Sequence, residues 1–422
     1  MSKKIGIIFW DGWLGVAPTL ISIIEYFAEK NNEVFVYLRD DDEFDLSIIE
    51  TFDQEKVTVC RIPSKGNFLQ KKMIHTFARI LVKVKNWHLI SVERCDQILY
   101  NLEQLKSYLD ISNFSKQIQK KQEKSFDLTF CVDTLGLFVH KKSRMKSEKI
   151  INLSLELLYD LKGNKEWLNK LIKKNEREYL KSKVLFTLIQ DTFRWQAYKK
   201  INNIEHDRFL LLPNSTRKSS VNDKIQKSDF FYKKFNLDSE TTIVLSAGMI
   251  CDEVCSYEIA QAAGDYNFKS KTKIIFHNRI KNDRIGQSYL ENVRVAGKDN
   301  LCLSLDPVAF SELHKIFNSA HIGLVIYKTD NIDENFNSIG AASGKLYQYI
   351  KYGLPIIVSK LEGLEKIVED HNIGITVNSP IEIPIAIEKI ITNYQYYSNN
   401  ARMAFEKKLN IDFFLDDIYK KI

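Results

Sequence analysis

No stretch of the 422 residues approaches 18 uninterrupted apolar positions, the length at which a helix begins to span a bilayer, so no transmembrane segment is expected. CxxC pairs are missing too. The six cysteines (Cys60, Cys95, Cys131, Cys251, Cys255 and Cys302) are scattered and sit mostly inside apolar runs. Neither Cys251 nor Cys255 has a nearby His or Cys to complete a metal shell. That argues against zinc sites and disulfides and for buried, reduced thiols in a cytoplasmic protein. The opening MSKKIGIIFWDG has a short apolar run that flows into a turn, without the cleavage site of a signal peptide. A large excess of one charge is also absent: the formal net charge is +7. That permits attraction to anionic lipids, nucleic acid or phosphorylated substrates without selecting one. No short internal repeat or low-complexity tract is evident.

What is present is ordinary globular composition, with 44% hydrophobic and 27% charged residues. The length predicts two domains of roughly 150–200 residues each. In the first half, KIGIIFW reads as an apolar strand ending in the glycine-bearing turn DGWLG, and Pro18 opens the helix TLISIIEYFAEK. NEVFVYL, KVTVCRI, FDLTFCVD, KIINLSLE and KVLFTLIQ read as further buried strands, each beside helical or loop material. The pattern restarts after LLLPNS, with TIVLSAG, KIIFHN, LCLSL, IGLVIY, LPIIVS and IGITV. Strands separated by helices predict βαβ units and parallel sheets, hence two successive doubly wound α/β domains. The boundary is set near Pro213: domains at 1–212 and 213–395, then a helical segment at 396–422 read as returning to the first domain.

In such sheets ligands bind at the carboxyl ends of strands, where helix N-termini expose free N–H groups. The stretch SIGAASGKLYQYIKYGLPIIVSK, after the strand IGLVIY, fits that location. Ser343 as cap, Gly344 for close approach and Lys345 for charge suit a diphosphate. The alternative is a Ser-capped helix with a solvated lysine. A P-loop does not fit, because GAASGK is one residue short of GxxxxGK and Leu346 stands where Ser or Thr should hold magnesium.

The run LSLDPVAFSELHKIFNSAHIGLVIYKTD, with SIGAASGKLYQYIKYGLPIIVS and GLEKIVEDHNIGITV after it, resembles the donor-binding half of a GT-B glycosyltransferase. The likeness is to the large retaining group, glycosyltransferase family 4, that includes sucrose synthases and many bacterial polysaccharide enzymes. SLELLYD, LIQDTFR and LLPNS follow in the expected order in the first half. The resemblance implies two Rossmann-like domains facing across a cleft and a nucleotide-diphosphate sugar as donor, a substrate rather than a cofactor. It implies that Ser343, Gly344 and Lys345 face the diphosphate, that Glu365 lines the donor cleft, and that Gly248 lets its loop approach the phosphates. Gly12 and Gly15 form the corresponding turn on the acceptor side, and Arg279 is a looser candidate for a second phosphate cation.

One departure concerns a pair of glutamates that these enzymes usually carry seven residues apart. Counting back from Gly353 puts Gln348 and Gly340 at those positions. Gln348 can still hydrogen-bond a ribose hydroxyl, whereas Gly340 offers no side chain. The departure keeps open a catalytically silent partner of another glycosyltransferase. A GT-B epimerase is the other alternative, but it needs an acid/base set that is not found.

On the acceptor side, Glu156 in NLSLELLYD and Asp133 in CVDTLG sit at predicted strand ends, where either can hydrogen-bond or deprotonate a hydroxyl. An acidic cap or loop charge is the alternative for each. Asp191 and Arg194 in QDTFR read most simply as a pair with each other. Retaining chemistry of the kind the resemblance suggests needs no strong protein base. The leaving diphosphate takes the acceptor proton, and Lys345 with the helix dipole bears the leaving-group charge. Asp40 to Asp42 mimic a DxD metal signature but follow the second strand in the wrong half, so no metal is assigned.

Residues 68–88 form an amphipathic pattern. Leu69, Met73, Phe77, Ile80, Val84 and Trp87 fall on one helical face, with Lys71, Lys72, His75, Arg79 and Lys83 opposite. This is the form of an interfacial membrane helix, and equally of a surface helix packing its stripe on the core. Nucleic acid is not expected, because interleaved stacking aromatics are missing. The expectation is a metal-independent, cytoplasmic glycosyltransferase, peripheral on the inner face of the membrane. It would act on a glycan or lipid-linked acceptor.

Overall fold

The computed structural model describes residues 2–40, 47–63, 72, 76–83, 91–121, 125–159, 166–218, 227–279, 286–328 and 334–422. The chain divides into two compact units. One comprises Met1–Ala17, Ile23–Ile189 and Gln196–Leu210; the other comprises Pro18–Ser22, Gln190–Trp195 and Leu211–Ile422.

The first unit is built on a seven-stranded sheet of order β3-β2-β1-β4-β5-β6-β7. Its strands are β1 (Lys4–Phe9), β2 (Glu33–Asp40), β3 (Val57–Pro63), β4 (Phe126–Val132), β5 (Ser147–Leu153), β6 (Val184–Ile189) and β7 (Phe209–Leu211). The pairings from β3 through β6 are parallel. Ile5, Ile7, Val34, Val36, Phe130 and Leu153 are fully buried. A parallel sheet covered on both faces needs such near-continuous apolar runs, and for that reason these strands were legible. The strand order reverses between β1 and β4, which brings the turn after β1 beside the end of β4.

The second unit holds a six-stranded sheet of order β10-β9-β8-β11-β12-β13, parallel throughout. Its strands are β8 (Thr242–Gly248), β9 (Thr272–Asn278), β10 (Leu301–Ser304), β11 (Ile322–Val325), β12 (Ile356–Ser359) and β13 (Gly374–Val377). Side-chain alternation divides the core into two layers. Ile243, Leu245, Ile275, Val325, Ile356 and Val358 pack with Leu346 and Tyr349 on one face. Val244, Ile274, Phe276, Leu324 and Ile357 pack with Ile259 and Ile387 on the other. The reversal here lies between β8 and β11, so the site described below gathers where those two strands end.

Residues 396–422, set apart in the sequence reading as a segment returning to the first domain, belong to the second unit. There Arg217 Nε donates to Asp412 Oδ1 at 2.7 Å, and the Ile411 N–H donates to the Thr216 carbonyl at 3.1 Å.

Candidate functional site

In the second unit the helix Gly344–Lys351 starts at Ser343, whose backbone is extended. Ser343 is therefore the cap residue by position, but its hydroxyl makes no capping bond. It is 1% exposed and shares a 2.9 Å hydrogen bond with the hydroxyl of Tyr327, just beyond β11. Diverting that hydroxyl leaves the first-turn amides without a side-chain acceptor, the arrangement that suits an incoming anion. Tyr327 is fixed through Ser359, whose Oγ accepts the Tyr327 N–H at 2.9 Å and donates to the Tyr327 carbonyl at 2.8 Å.

The ammonium of Lys345 stands over the Tyr327 ring, 4.4 Å from its centroid. Burial pushes its pKa down to about 8, against a small opposing effect of Cys251, and the nearby charge of Arg279 lowers it further. Arg279 is exposed and follows β9, where its N–H donates to the Gly248 carbonyl at 3.1 Å. Among the described residues neither cation forms an ion pair. Lys345, part-exposed, thus stands at a helix mouth without a side-chain cap, with the Arg279 charge near enough to act on it; a diphosphate would pair with the ammonium there.

Gly248 ends β8 with φ +135°, and a Cβ there would meet nothing within 4 Å, so the conformation rather than crowding requires glycine. On the core side, Tyr349 supplies its hydroxyl oxygen to the Ala247 N–H at 2.8 Å. Its ring lies where a Cβ on Gly323 would stand, 2.3 Å away. Gln348 and Glu365 are part-exposed, the first on the Gly344–Lys351 helix and the second in the first turn of the helix Glu362–His371.

Two groups that sequence reasoning did not assign hold the approach to this mouth. Asn214 donates its backbone N–H to the Ala341 carbonyl at 2.9 Å and its side-chain amide to the Ala342 carbonyl at 2.8 Å. Asp191 and Arg194 do more than pair with each other. Asp191 Oδ1 accepts the Arg194 N–H at 2.7 Å and Oδ2 accepts the Ala341 N–H at 2.8 Å, while the Arg194 side chain reaches Asn335. Gly340, one of the two positions that depart from the glutamate pair, has φ +30°, and a Cβ there would lie 2.3 Å from Asp191 Oδ2. The space of the missing side chain is taken by a carboxylate from another segment.

In the first unit, Gly12 follows β1 with φ +77°, and its carbonyl accepts the Leu14 N–H at 2.8 Å. Gly15 lies in the short turn Leu14–Val16. Asp133, directly after β4, has φ +57°, rare for a residue with a side chain. Its Oδ1 accepts the N–H groups of Leu155 and Glu156, at 2.6 and 2.9 Å. Burial pushes the Asp133 carboxyl well above the usual carboxylate range, and the charges of Glu156 and Asp11 add to it. Glu156 itself is exposed. The two acceptor-side candidates are thus joined, Asp133 setting the backbone that carries Glu156.

Of residues 68–88, only 72 and 76–83 fall within the described residues. Phe77 and Ile80 are 50% and 51% exposed, and Leu81 is buried. Asp40 bonds to Arg61, its Oδ1 accepting from Nε at 3.0 Å, while Asp41 and Asp42 lie outside the described residues. Among the described residues, no group of three His, Cys, Asp or Glu could hold a metal ion, and no helix is long and apolar enough to cross a membrane.

Residues 308–422 match the family described as Glucosyltransferase 3-like, C-terminal domain. No curated protein sequence matches the chain. Among solved structures, sucrose-phosphate synthase from Thermosynechococcus elongatus is 13% identical with a TM-score of 0.61, over 99% of this chain and 98% of that one. Anabaena HepE, solved in complex with UDP-glucose, is 11% identical with a TM-score of 0.63, over 99% of each chain. WaaG, a glycosyltransferase involved in lipopolysaccharide biosynthesis, is 12% identical with a TM-score of 0.60, again over 99% of each. Such distant likeness establishes the shared fold, and the family match falls on the part of the chain that carries Ser343 to Lys345. The chain has the GT-B fold, and its residues 308–422 match a Glucosyltransferase 3-like C-terminal domain.

Proposed function

We propose that this protein is a glycosyltransferase that moves a sugar from a nucleotide-diphosphate donor to a hydroxyl of a glycan or glycolipid, with retention of configuration. The observation that carries the reading is the Lys345 ammonium, 4.4 Å from the Tyr327 ring centroid and without an ion pair among the described residues, at a helix mouth whose serine hydroxyl is engaged elsewhere. Lys345, Arg279 and the amides of Gly344 and Lys345 would hold the diphosphate, and Gly248 would leave its loop free to approach the phosphates. As the glycosidic bond breaks, negative charge builds on the leaving diphosphate, and a preorganised ammonium stabilises it most where water is excluded. The departing phosphate oxygen takes the acceptor proton. Glu156 orients the acceptor hydroxyl, on a backbone that Asp133 fixes. Gln348 and Glu365 contribute polar contacts to the nucleoside side, and the turn at Gly12 and Gly15 lines the acceptor side. The exposed Phe77 and Ile80, beside Lys72, Arg79 and Lys83, fit attachment to an anionic membrane that carries the acceptor.

HepE binds UDP-glucose, which makes uridine diphosphate the first nucleotide to try. Thermal melting with UDP, GDP, ADP, CMP and TDP tests the reading. One diphosphate should raise the melting temperature at millimolar concentration. No shift with any of them would reject it.

A further inference from the structure

The stretch 335–342 leads directly into the mouth at Ser343, and it is gripped from the Gln190–Trp195 segment of the same unit. Arg194, 1% exposed, donates from Nη2 to Asn335 Oδ1 at 2.9 Å and from Nη1 to the carbonyls of Asn335 and Ser338, at 3.4 Å each. Asp191 accepts the Ala341 N–H and, with its other oxygen, ties itself to the first turn of the helix Thr192–Asn202. The two contacts lie either side of Gly340, whose backbone touches the next helix mouth: a Cβ on Gly363 would come 2.7 Å from Gly340 Cα. A guanidinium that has lost its water is held here by oxygens of the approach to the mouth, so displacing that stretch would cost a buried charge these hydrogen bonds.

We propose that Asp191 and Arg194 are positioning residues of the donor site. Together they fix residues 335–341, so that the amides of Gly344 and Lys345 and the Lys345 ammonium converge on one phosphate group. Neither touches the donor; each acts through the backbone of the approach. The inference rests on the donor-site reading above and adds the residues that make that site rigid before the donor arrives.

Asp191→Asn and Arg194→Lys separate this from a merely structural role. An asparagine offers one acceptor oxygen to two N–H donors, those of Arg194 and Ala341, and sets its own amide N–H against the second. A lysine keeps the charge but replaces the fork with a single point. The full-length wild type, both variants and Lys345→Ala are titrated with UDP and with uridine by calorimetry. The clamp predicts that both variants bind UDP about tenfold more weakly while uridine affinity stays within about twofold, because only the phosphate mouth is displaced. Should Asp191→Asn not fold, the UDP-to-uridine ratio of Arg194→Lys decides alone. The inference is overturned if the variants keep the wild-type ratio, or lose UDP and uridine binding in parallel, while Lys345→Ala still loses UDP selectively. If Lys345→Ala leaves UDP binding unchanged, the donor-site reading itself fails, and the clamp with it.

Discussion

Lys345 and Tyr327 are coupled through two parts of one side chain: the ammonium stands 4.4 Å from the ring centroid, and the ring hydroxyl shares a 2.9 Å hydrogen bond with Ser343, two residues before the lysine. The ring lowers the cost of holding a charge in a partly buried place, and the hydroxyl keeps Ser343 from capping its own helix. Removing each part separately should therefore have different consequences. Tyr327→Phe keeps the ring and should leave UDP affinity within about threefold. Tyr327→Leu removes the face under the ammonium and should cost about tenfold, as a partly desolvated cation–π contact is worth about 1–2 kcal/mol. Calorimetric titration of both variants distinguishes the two losses; equal effects would contradict the division of labour.

The depressed pKa of Lys345 gives a pH dependence with a definite sign. Between about 8 and the ordinary value of 10.5, the unfolded chain keeps a proton on this lysine that the folded chain has released. The group therefore makes stability rise with pH through that window. A bound diphosphate favours the ammonium, so UDP affinity should be flat below pH 8 and fall above it, by up to about tenfold per pH unit. Lys345→Arg keeps its charge and should abolish the fall. An affinity independent of pH from 7 to 10 in the wild type would remove Lys345 from contact with the phosphates.

The close approach at Gly340 predicts that Gly340→Ala is poorly tolerated. The new methyl would meet Asp191 Oδ2 at 2.3 Å and the Gly363 Cα at 3.2 Å, in a backbone with φ +30°. Overpacking of this kind costs about 1–3 kcal/mol, and the melting temperature should drop by several degrees. UDP affinity should fall too, since the same contact orients Ala341.

Behind β5 lies a buried polar network with no counterpart in the sequence reading. Lys173 and Glu176, each 1% exposed, pair at 2.6 Å; the Tyr198 hydroxyl donates to Glu176 Oε1 at 2.6 Å, and Asn152 Nδ2 donates to that hydroxyl at 2.8 Å. Glu176→Ala removes the carboxylate that both Lys173 and Tyr198 bond in the interior and should lower stability by about 3–5 kcal/mol in urea unfolding. A smaller change would mean that the pair is solvated.

The membrane reading makes its own prediction. Replacing the exposed Lys72, Arg79 and Lys83 with glutamine should weaken sedimentation with phosphatidylserine vesicles by about a hundredfold at low salt, at about 1 kcal/mol for each charge. Unchanged sedimentation would return residues 76–83 to an ordinary surface role.

The strands of both sheets were legible because a parallel sheet covered on both faces demands unbroken apolar runs, and the helix mouth was legible because Ser, Gly and Lys stand side by side in the chain. β7 was missed: Phe209–Leu211 is three residues long and part-exposed, too short to show a period. Ser343 stands at the cap position that the sequence predicts, but its hydroxyl bonds Tyr327 rather than its own helix, a competition decided 16 residues away. Gly340 read as a missing side chain, whereas its space is filled by Asp191, 150 residues from the Ala341 amide it binds. Asn214, with its 128-residue reach to Ala342, was illegible for the same reason. What a sequence conveys is what neighbours in the chain do together; the grip on the candidate site is made by residues brought together only by the fold.

The most direct measurement is a calorimetric comparison of UDP and UMP binding to the wild type and to Lys345→Ala. If Lys345 and the helix mouth hold the diphosphate, the wild type should prefer UDP over UMP by at least about tenfold, and the variant should lose most of that preference while keeping its UMP affinity. Equal binding of UDP and UMP by the wild type, or an undiminished preference in the variant, would contradict the assignment of Ser343 to Lys345 as the phosphate site.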